Sequence, residues 1–153
     1  MERRGQCIAV VSGKGGTGKT SFTAGVGAAL AQSGKRVLCL DCDVGLRNLD
    51  LALGLSDRAL MDFSDVAQNR CPLAAAVVEH PHLPGLFLLT APVRSRGRPA
   101  TEEQMAKLLR DIRERFDYCL LDAPAGLGMG FLLATAAADR CVVVTTTDAS
   151  SLR

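Results

Sequence analysis

The sequence predicts an α/β fold, a mainly parallel sheet with helices on both faces. About five short apolar segments alternate with segments of helical pattern along the 153 residues. Strands that are apolar throughout belong to parallel sheets that are buried on both faces. A glycine-rich loop also lies between the first apolar segment and the first helical one, the place where α/β sheets commonly bind anions. Composition agrees with a folded domain, since 48% of the residues are hydrophobic and 22% are charged.

The predicted strands share a short apolar run with polar or turn-forming residues on either side. They are Cys7–Val11, Val37–Leu40, Leu86–Leu89, Tyr118–Leu121 and Cys141–Val144. Helices are predicted between them at 21–31, about 59–69, about 73–79, 102–115 and about 128–138. The helix from 102 has a capping box, in which the side chains of Thr101 and Gln104 accept each other's backbone N–H groups.

Residues 13–20 carry the most informative motif of the chain. The run Gly-Lys-Gly-Gly-Thr-Gly-Lys-Thr fits the phosphate-binding pattern G-x-x-x-x-G-K-[ST], and a P-loop NTPase is therefore predicted. Backbone N–H groups of such a loop point inward at the positive end of a helix dipole, where they hold phosphate. Lys19 is predicted to bridge the β- and γ-phosphates, and the Thr20 hydroxyl to hold Mg²⁺. The predicted nucleotide-binding residues of this segment are Gly13, Lys14, Gly15, Gly16, Thr17, Gly18, Lys19, Thr20 and Ser21.

Aspartates follow two of the predicted strands. Asp41 and Asp43 come after the second strand, and Asp122 comes after the fourth. Carboxylates at the carboxyl ends of parallel strands lie where Mg²⁺ and an attacking water are needed beside a phosphate loop. We expect Asp122 to hold Mg²⁺ through a water and Asp41 to stabilise the metal site without contacting the metal directly. Asp43 is expected to orient or activate the attacking water. The alternative is that these aspartates only cap the turns after their strands.

Six cysteines and two histidines raise the question of a metal or redox site. Cys39 and Cys42 have a suitable spacing, but residues three apart along a strand point to opposite faces. His80 and His82 lie in a polar connection without a cluster of other ligands. We therefore expect buried structural thiols and surface histidines.

Lys14 makes the loop resemble that of one ATPase family. The text K-G-G-T-G-K-T is similar to the deviant Walker A motif of the MinD/ParA family. The segment 41–50, D-C-D-V-G-L-R-N-L-D, resembles switch I of the MinD branch, whose pattern is D-x-D-[IVL]-G-L-R-N-L-D; partition ATPases usually have proline where this chain has Val44. The segment 62–66 resembles the text that follows switch I in MinD. The segment 122–126 resembles switch II, in which the N–H of Gly126 would meet the γ-phosphate.

The resemblance implies a switch that uses ATP and Mg²⁺, forms a homodimer on ATP binding and hydrolyses the nucleotide. In this family the lysine at the position of Lys14 reaches the nucleotide of the partner subunit. MinC-like and MinE-like partners at the membrane and the positioning of the division septum follow from the same resemblance. The alternatives are a flagellar-number regulator, a ParA-like partition ATPase, and a nucleotide-binding remnant that does not hydrolyse.

Residues 1–153 are interpreted as a single P-loop ATPase domain that lacks the C-terminal part of the family fold. The family's strand order would leave the fifth predicted strand at an edge of the sheet. We expect a cytoplasmic protein, because no apolar run approaches the ~18 residues of a membrane span. Membrane binding, at the inner face, is expected only if a longer form carries the family's C-terminal helix. No nucleic-acid partner is expected at a net charge of +2.

Two smaller features remain. Arg94, Arg96 and Arg98 form a short basic run; such runs are usually solvated, and contact with an acidic partner or a lipid surface is the alternative. Gly25 and Gly27 lie inside the first predicted helix, where each costs ~1 kcal/mol relative to alanine. Close packing of that helix on the sheet would explain them.

Overall fold

One sheet organises the computed structural model, which describes residues 4–13, 18–44, 47–56, 58–93, 98–124 and 129–145. Its six strands are β1 (Gln6–Val11), β2 (Val37–Asp41), β3 (Val78–Glu79), β4 (Leu86–Leu89), β5 (Tyr118–Asp122) and β6 (Arg140–Val143). Their order across the sheet is β3-β4-β2-β5-β1-β6. Every neighbouring pair is parallel except β3 and β4. The predicted edge position of the last strand is confirmed, since β6 pairs with β1 and with no other described strand.

Helices cover both faces of this sheet. They are α1 (Lys19–Gln32), α2 (Asn48–Ala52), α3 (Phe63–Ala67), α4 (Leu73–Ala76), α5 (Glu102–Arg115) and α6 (Met129–Ala136). Leu109 and Ile112 of α5 belong to one buried cluster, whereas Ala24 and Ala31 of α1 belong to a second. The predicted α/β class with helices on both faces is confirmed. Among the described helices, none is both long and apolar enough to span a bilayer.

The sheet has six strands, where the sequence predicted about five. Strand β3 lies inside the stretch 73–79 that we predicted as helical, and it pairs antiparallel with β4 through Val78 opposite Leu88 and Glu79 opposite Phe87. Helix α4 ends at Ala76, and Val77 is already extended with ψ 141°. Two consecutive valines favour extended backbone, because their branched side chains are restricted in a helix and pack well on a sheet.

The helix predicted at about 59–69 is shorter than expected. Its start is set by a capping box: Asp62 Oδ1 accepts from the Asp65 N–H at 3.0 Å, and Asp65 Oδ2 accepts from the Asp62 N–H at 2.9 Å. Its end is set by a turn in which Asn69 has a positive φ of 61°. The capping box predicted from Thr101 and Gln104 at the start of α5 is confirmed. Helix α2 was not predicted.

The two cysteines of the Cys39-x-x-Cys42 spacing pack in different clusters on the two faces of the sheet. Cys39 packs in the cluster under α1, and Cys42 packs in the cluster under α5. Both thiols are free and buried, as expected for structural cysteines. His80 is half-buried rather than on the surface, and its Nε2 lies 3.0 Å from the carbonyl oxygen of Leu53. That contact with a neighbouring loop was not visible in the sequence.

Candidate functional site

The candidate site begins where β1 passes into α1. Strand β1 ends at Val11 and α1 starts at Lys19. Gly18 precedes the helix with a φ of 83°, a left-handed conformation that glycine adopts without steric cost. Residues Lys14, Gly15, Gly16 and Thr17 of the predicted loop lie outside the described residues, as does Gly126. The described ends of the loop place its helix where a phosphate-binding loop requires one.

Lys19, Thr20 and Asp122 form the centre of the site. Lys19 Nζ donates to Asp122 Oδ1, and Thr20 Oγ1 donates to Asp122 Oδ2 at 2.9 Å. Only 9% of Lys19 and 1% of Asp122 are exposed, so the charges face each other with little competing water. Asp122 ends β5, which lies beside β1 in the sheet. Adjacent strands thus bring the predicted phosphate lysine, metal hydroxyl and metal carboxylate together.

Asp41 lies beside Asp122 at the same edge of the sheet, since the two residues are opposite each other in the β2–β5 pair. Its Oδ1 accepts from the Asp43 N–H at 2.9 Å, and its Oδ2 accepts from the Leu49 N–H at 3.4 Å. The carboxylate therefore holds the loop after β2 to the start of α2. Burial raises the pKa of Asp41 to about 6; the Asp43 N–H opposes this shift, and the charge of Asp122 adds to it.

Asp43 is half-buried directly after β2. Burial raises the pKa of this carboxyl group, the charge of Lys19 opposes the shift, and the charge of Asp122 adds to it. The charges of the central cluster thus act on Asp43. Its side chain makes no hydrogen bond or ion pair within the described residues. A carboxylate so placed can accept a hydrogen bond from a water molecule. Gly13 and Ser21 are exposed at the two ends of the loop.

The oxygen ligands present suit Mg²⁺ better than a softer metal. A threonine hydroxyl and a carboxylate 2.9 Å apart are hard donors of the kind that Mg²⁺ prefers. Within the described residues, no group of three or more His, Cys, Asp or Glu side chains could hold an ion by itself. Mg²⁺ is usually held by one or two protein groups together with substrate phosphates, and this donor set fits that mode.

Two contacts in the segment after β2 were missed by the sequence analysis. Arg47 adopts a left-handed φ of 49° at the start of α2, and its Nε donates to Thr90 Oγ1 at 3.0 Å. The Leu49 N–H that binds Asp41 is the other. The resemblance to switch I drew attention to Arg47, but no local pattern signals a partner 43 positions away.

The raised pKa of Asp41 predicts a pH dependence of stability in the absence of metal. Its ordinary pKa is near 4, so between about pH 4 and pH 6 the native protein keeps a proton that the unfolded chain has released. The free energy of unfolding then falls as pH rises through this window. The charged form costs the native state on the order of 2–3 kcal/mol above pH 6. An Asp41→Asn variant lacks this pH-dependent cost, although its amide can accept only one of the two backbone N–H groups.

Urea unfolding in EDTA at several pH values tests this prediction. The stability of Asp41→Asn should rise relative to the wild type between about pH 4 and pH 7. Asp117 accepts a hydrogen bond from the Arg36 N–H at 2.8 Å, so an Asp117→Asn variant would alter a contact of its own and cannot serve as the control. Asp111→Asn, an exposed change on α5, should run parallel to the wild type. Parallel profiles for Asp41→Asn as well would show that Asp41 titrates as an ordinary carboxyl group.

The chain matches a known protein family over almost its whole length. A family model described as AAA domain matches residues 5–153. The chain belongs to this family. Among its relatives in the AAA domain family, the septum site-determining protein MinD of Synechocystis is 46% identical over 147 residues, which cover 95% of this chain and 55% of that protein. MinD of Bacillus subtilis is 40% identical over 150 residues, 97% of this chain and 56% of the relative. The chain spans about half the length of these curated relatives.

Solved structures agree with the fold. The MinC:MinD cell division protein complex of Aquifex aeolicus contains a chain with a TM-score of 0.87 and 40% identity, which matches over 97% of this chain and 59% of its own length. MinD of Pyrococcus horikoshii complexed with Mg-ADP has a TM-score of 0.83 and 30% identity, over 96% of this chain and 60% of its own. The predicted resemblance to the MinD/ParA family is confirmed, and these relatives favour its MinD branch over the flagellar and partition alternatives.

Proposed function

We propose that this chain is the nucleotide-binding part of a MinD-like ATPase, which binds Mg-ATP and hydrolyses it as a homodimer. The observation that carries the proposal is the cluster of buried Lys19 and Asp122 with half-buried Thr20 at the carboxyl end of β5. Phosphoryl transfer to water needs a cation for the phosphates, a metal position and a group for the water. The cluster and the neighbouring Asp43 supply these three parts.

Each residue has a distinct part in this proposal. Lys19 would neutralise charge on the β- and γ-phosphates, and the N–H groups of residues 13–18 and Gly126 would bind phosphate oxygens. Mg²⁺, when bound, supplies positive charge to the phosphates; Thr20 and Asp122 would hold it. Asp41 would position this edge of the sheet through its two backbone hydrogen bonds. Asp43 would orient the water, and Lys14 would act on the nucleotide of the partner subunit.

The cellular role proposed is placement of the division septum. It is supported by the names of the relatives, which are septum site-determining proteins, and by the MinC:MinD complex of Aquifex aeolicus. A MinC-like and a MinE-like partner belong to this proposal. So do a cytoplasmic location, peripheral association with the inner face of the membrane for a full-length member, and no nucleic-acid partner. We also propose that residues 1–153 form one domain of the longer family fold.

Titration calorimetry with Mg²⁺ and a slowly hydrolysed ATP analogue tests the nucleotide site. We expect binding to the wild type, and Lys19→Ala to weaken it at least tenfold, about 1.4 kcal/mol, because a charge-assisted contact to phosphate is lost. Lys35→Ala is the matched control, an exposed lysine just beyond α1. Light scattering on the same samples should show a dimer only with the analogue. Equal affinities of the wild type and Lys19→Ala would contradict the proposed site.

A further inference from the structure

A second concave surface lies beside the candidate nucleotide site. It is a cavity of about 560 Å³, which we call the α3 cavity. Its walls are the segment after β2, the start of α3, the segment after β4 and residues 98–100 before α5. This volume is within the ~300–1,000 Å³ of typical ligand pockets. The carboxyl edge of an α/β sheet is also where such folds bind partners and ligands.

Large apolar side chains gather at the α3 cavity although they are in contact with water. Leu60 is 92% exposed, Val93 55%, Val44 47% and Met61 42%, and all four line the cavity. They come from three separate segments of the chain, so only the fold brings them together. Four exposed apolar side chains that converge on one cavity favour an interaction surface, whereas exposed apolar residues scattered singly would not.

The charge that the α3 cavity presents to a ligand is positive. Its carboxylates are used inside the wall: Asp62 and Asp65 bind each other's backbone N–H groups, and Asp65 also pairs with Arg70 at 2.9 Å. Arg98 is exposed and makes no ion pair within the part of the chain that the structure describes. Arg47 has a long ion pair, 3.8 Å from Asp50, and its Nε donates to Thr90 Oγ1 at 3.0 Å, which leaves part of its guanidinium group for a ligand. Of the three arginines that line the cavity, Arg98 and Arg47 thus remain for a ligand.

We propose that the α3 cavity docks an acidic, leucine-bearing segment of a partner protein. Apolar side chains of the segment would cover Leu60 and Met61, and its carboxylates would meet the guanidinium groups of Arg98 and Arg47. Arginine is suited to this role because its planar fork binds a carboxylate through two parallel hydrogen bonds. Burial of the exposed apolar area supplies affinity, and the charges select an acidic segment over a basic one.

Fluorescence anisotropy with defined peptides tests the proposal in the absence of nucleotide, so that its failure and that of the nucleotide site are distinguishable. The probe is a fluorescein-labelled helical peptide of alanine and glutamate with two leucines on one face. One matched peptide replaces each glutamate by lysine, and another replaces the leucines by serine. We expect the first to bind with a Kd of roughly 10–100 μM, and both matched peptides to bind at least tenfold more weakly.

Variants of the chain test whether the peptide binds at the α3 cavity. Arg98→Glu should weaken binding of the acidic peptide at least tenfold, and Leu60→Ser should have the same effect. Arg110→Glu is the matched control, an exposed arginine on α5 that does not line the cavity, and it should leave the Kd unchanged. Circular dichroism verifies that each variant is folded. The proposal is overturned if the acidic peptide does not bind, if the lysine peptide binds as tightly, or if Arg98→Glu and Arg110→Glu have equal effects.

Discussion

An Asp43→Asn variant is expected to hydrolyse ATP about 10²–10⁴-fold more slowly than the wild type while it retains affinity for Mg-ATP. Asp43 lies next to the central cluster, close enough for the charges of Lys19 and Asp122 to affect its pKa. An amide of the same shape can still contact a water molecule through its oxygen, but it cannot take a proton or offer a full negative charge. The loss should therefore appear in kcat rather than in nucleotide binding.

Phosphate release under single-turnover conditions, with calorimetry on the same preparations, measures both quantities. Asp111→Asn makes the same chemical change at an exposed position of α5 and should match the wild-type rate. A variant at position 43 that hydrolyses ATP at the wild-type rate would show that another group orients the water. Loss of affinity together with the rate would instead assign Asp43 to nucleotide binding.

Gly27→Ala and Gly25→Ala are expected to change stability in opposite directions. A Cβ atom at Gly27 would lie 2.8 Å from Cys39 Sγ and 3.3 Å from Leu86 Cδ1. At Gly25 it would meet nothing within 4 Å. Overpacking at Gly27 should cost about 1–3 kcal/mol. The alanine at Gly25 should stabilise α1 by up to ~1 kcal/mol, because alanine has the higher helix propensity.

Urea unfolding of the two variants gives the comparison, and a second change identifies its cause. Cys39→Ala removes the sulfur atom that the new methyl group would meet, so the cost of Gly27→Ala should be smaller in that background. A double-mutant cycle should then give a coupling of about 0.5–3 kcal/mol between the two positions. Equal costs of Gly27→Ala in both backgrounds would place the clash elsewhere, and equal stabilities of the two glycine variants would show that α1 is not tightly packed.

The two glycines also show how far sequence patterns extend. Both were predicted to allow close packing of the first helix, and this is confirmed for Gly27 but wrong for Gly25. The motif at 13–20 predicted the strand, loop and helix in their order because its spacing is local. The register of the capping boxes at Asp62 and Thr101 is local in the same way. Strand β3 was missed because a two-residue strand exists only through its pairing with β4.

The sequence by itself determined the α/β class, the phosphate-binding motif, the aspartates that follow the strands and the resemblance to the MinD/ParA family. These are properties of neighbouring residues, whose spacing and polarity act over one turn or one strand. Only the tertiary structure decided that Lys19 and Asp122, 103 positions apart, share one hydrogen bond. It also decided that four exposed apolar side chains and three arginines line one cavity. Such contacts depend on strand order, which places β5 beside β1 and β4 beside β2, and distant segments meet only through that order.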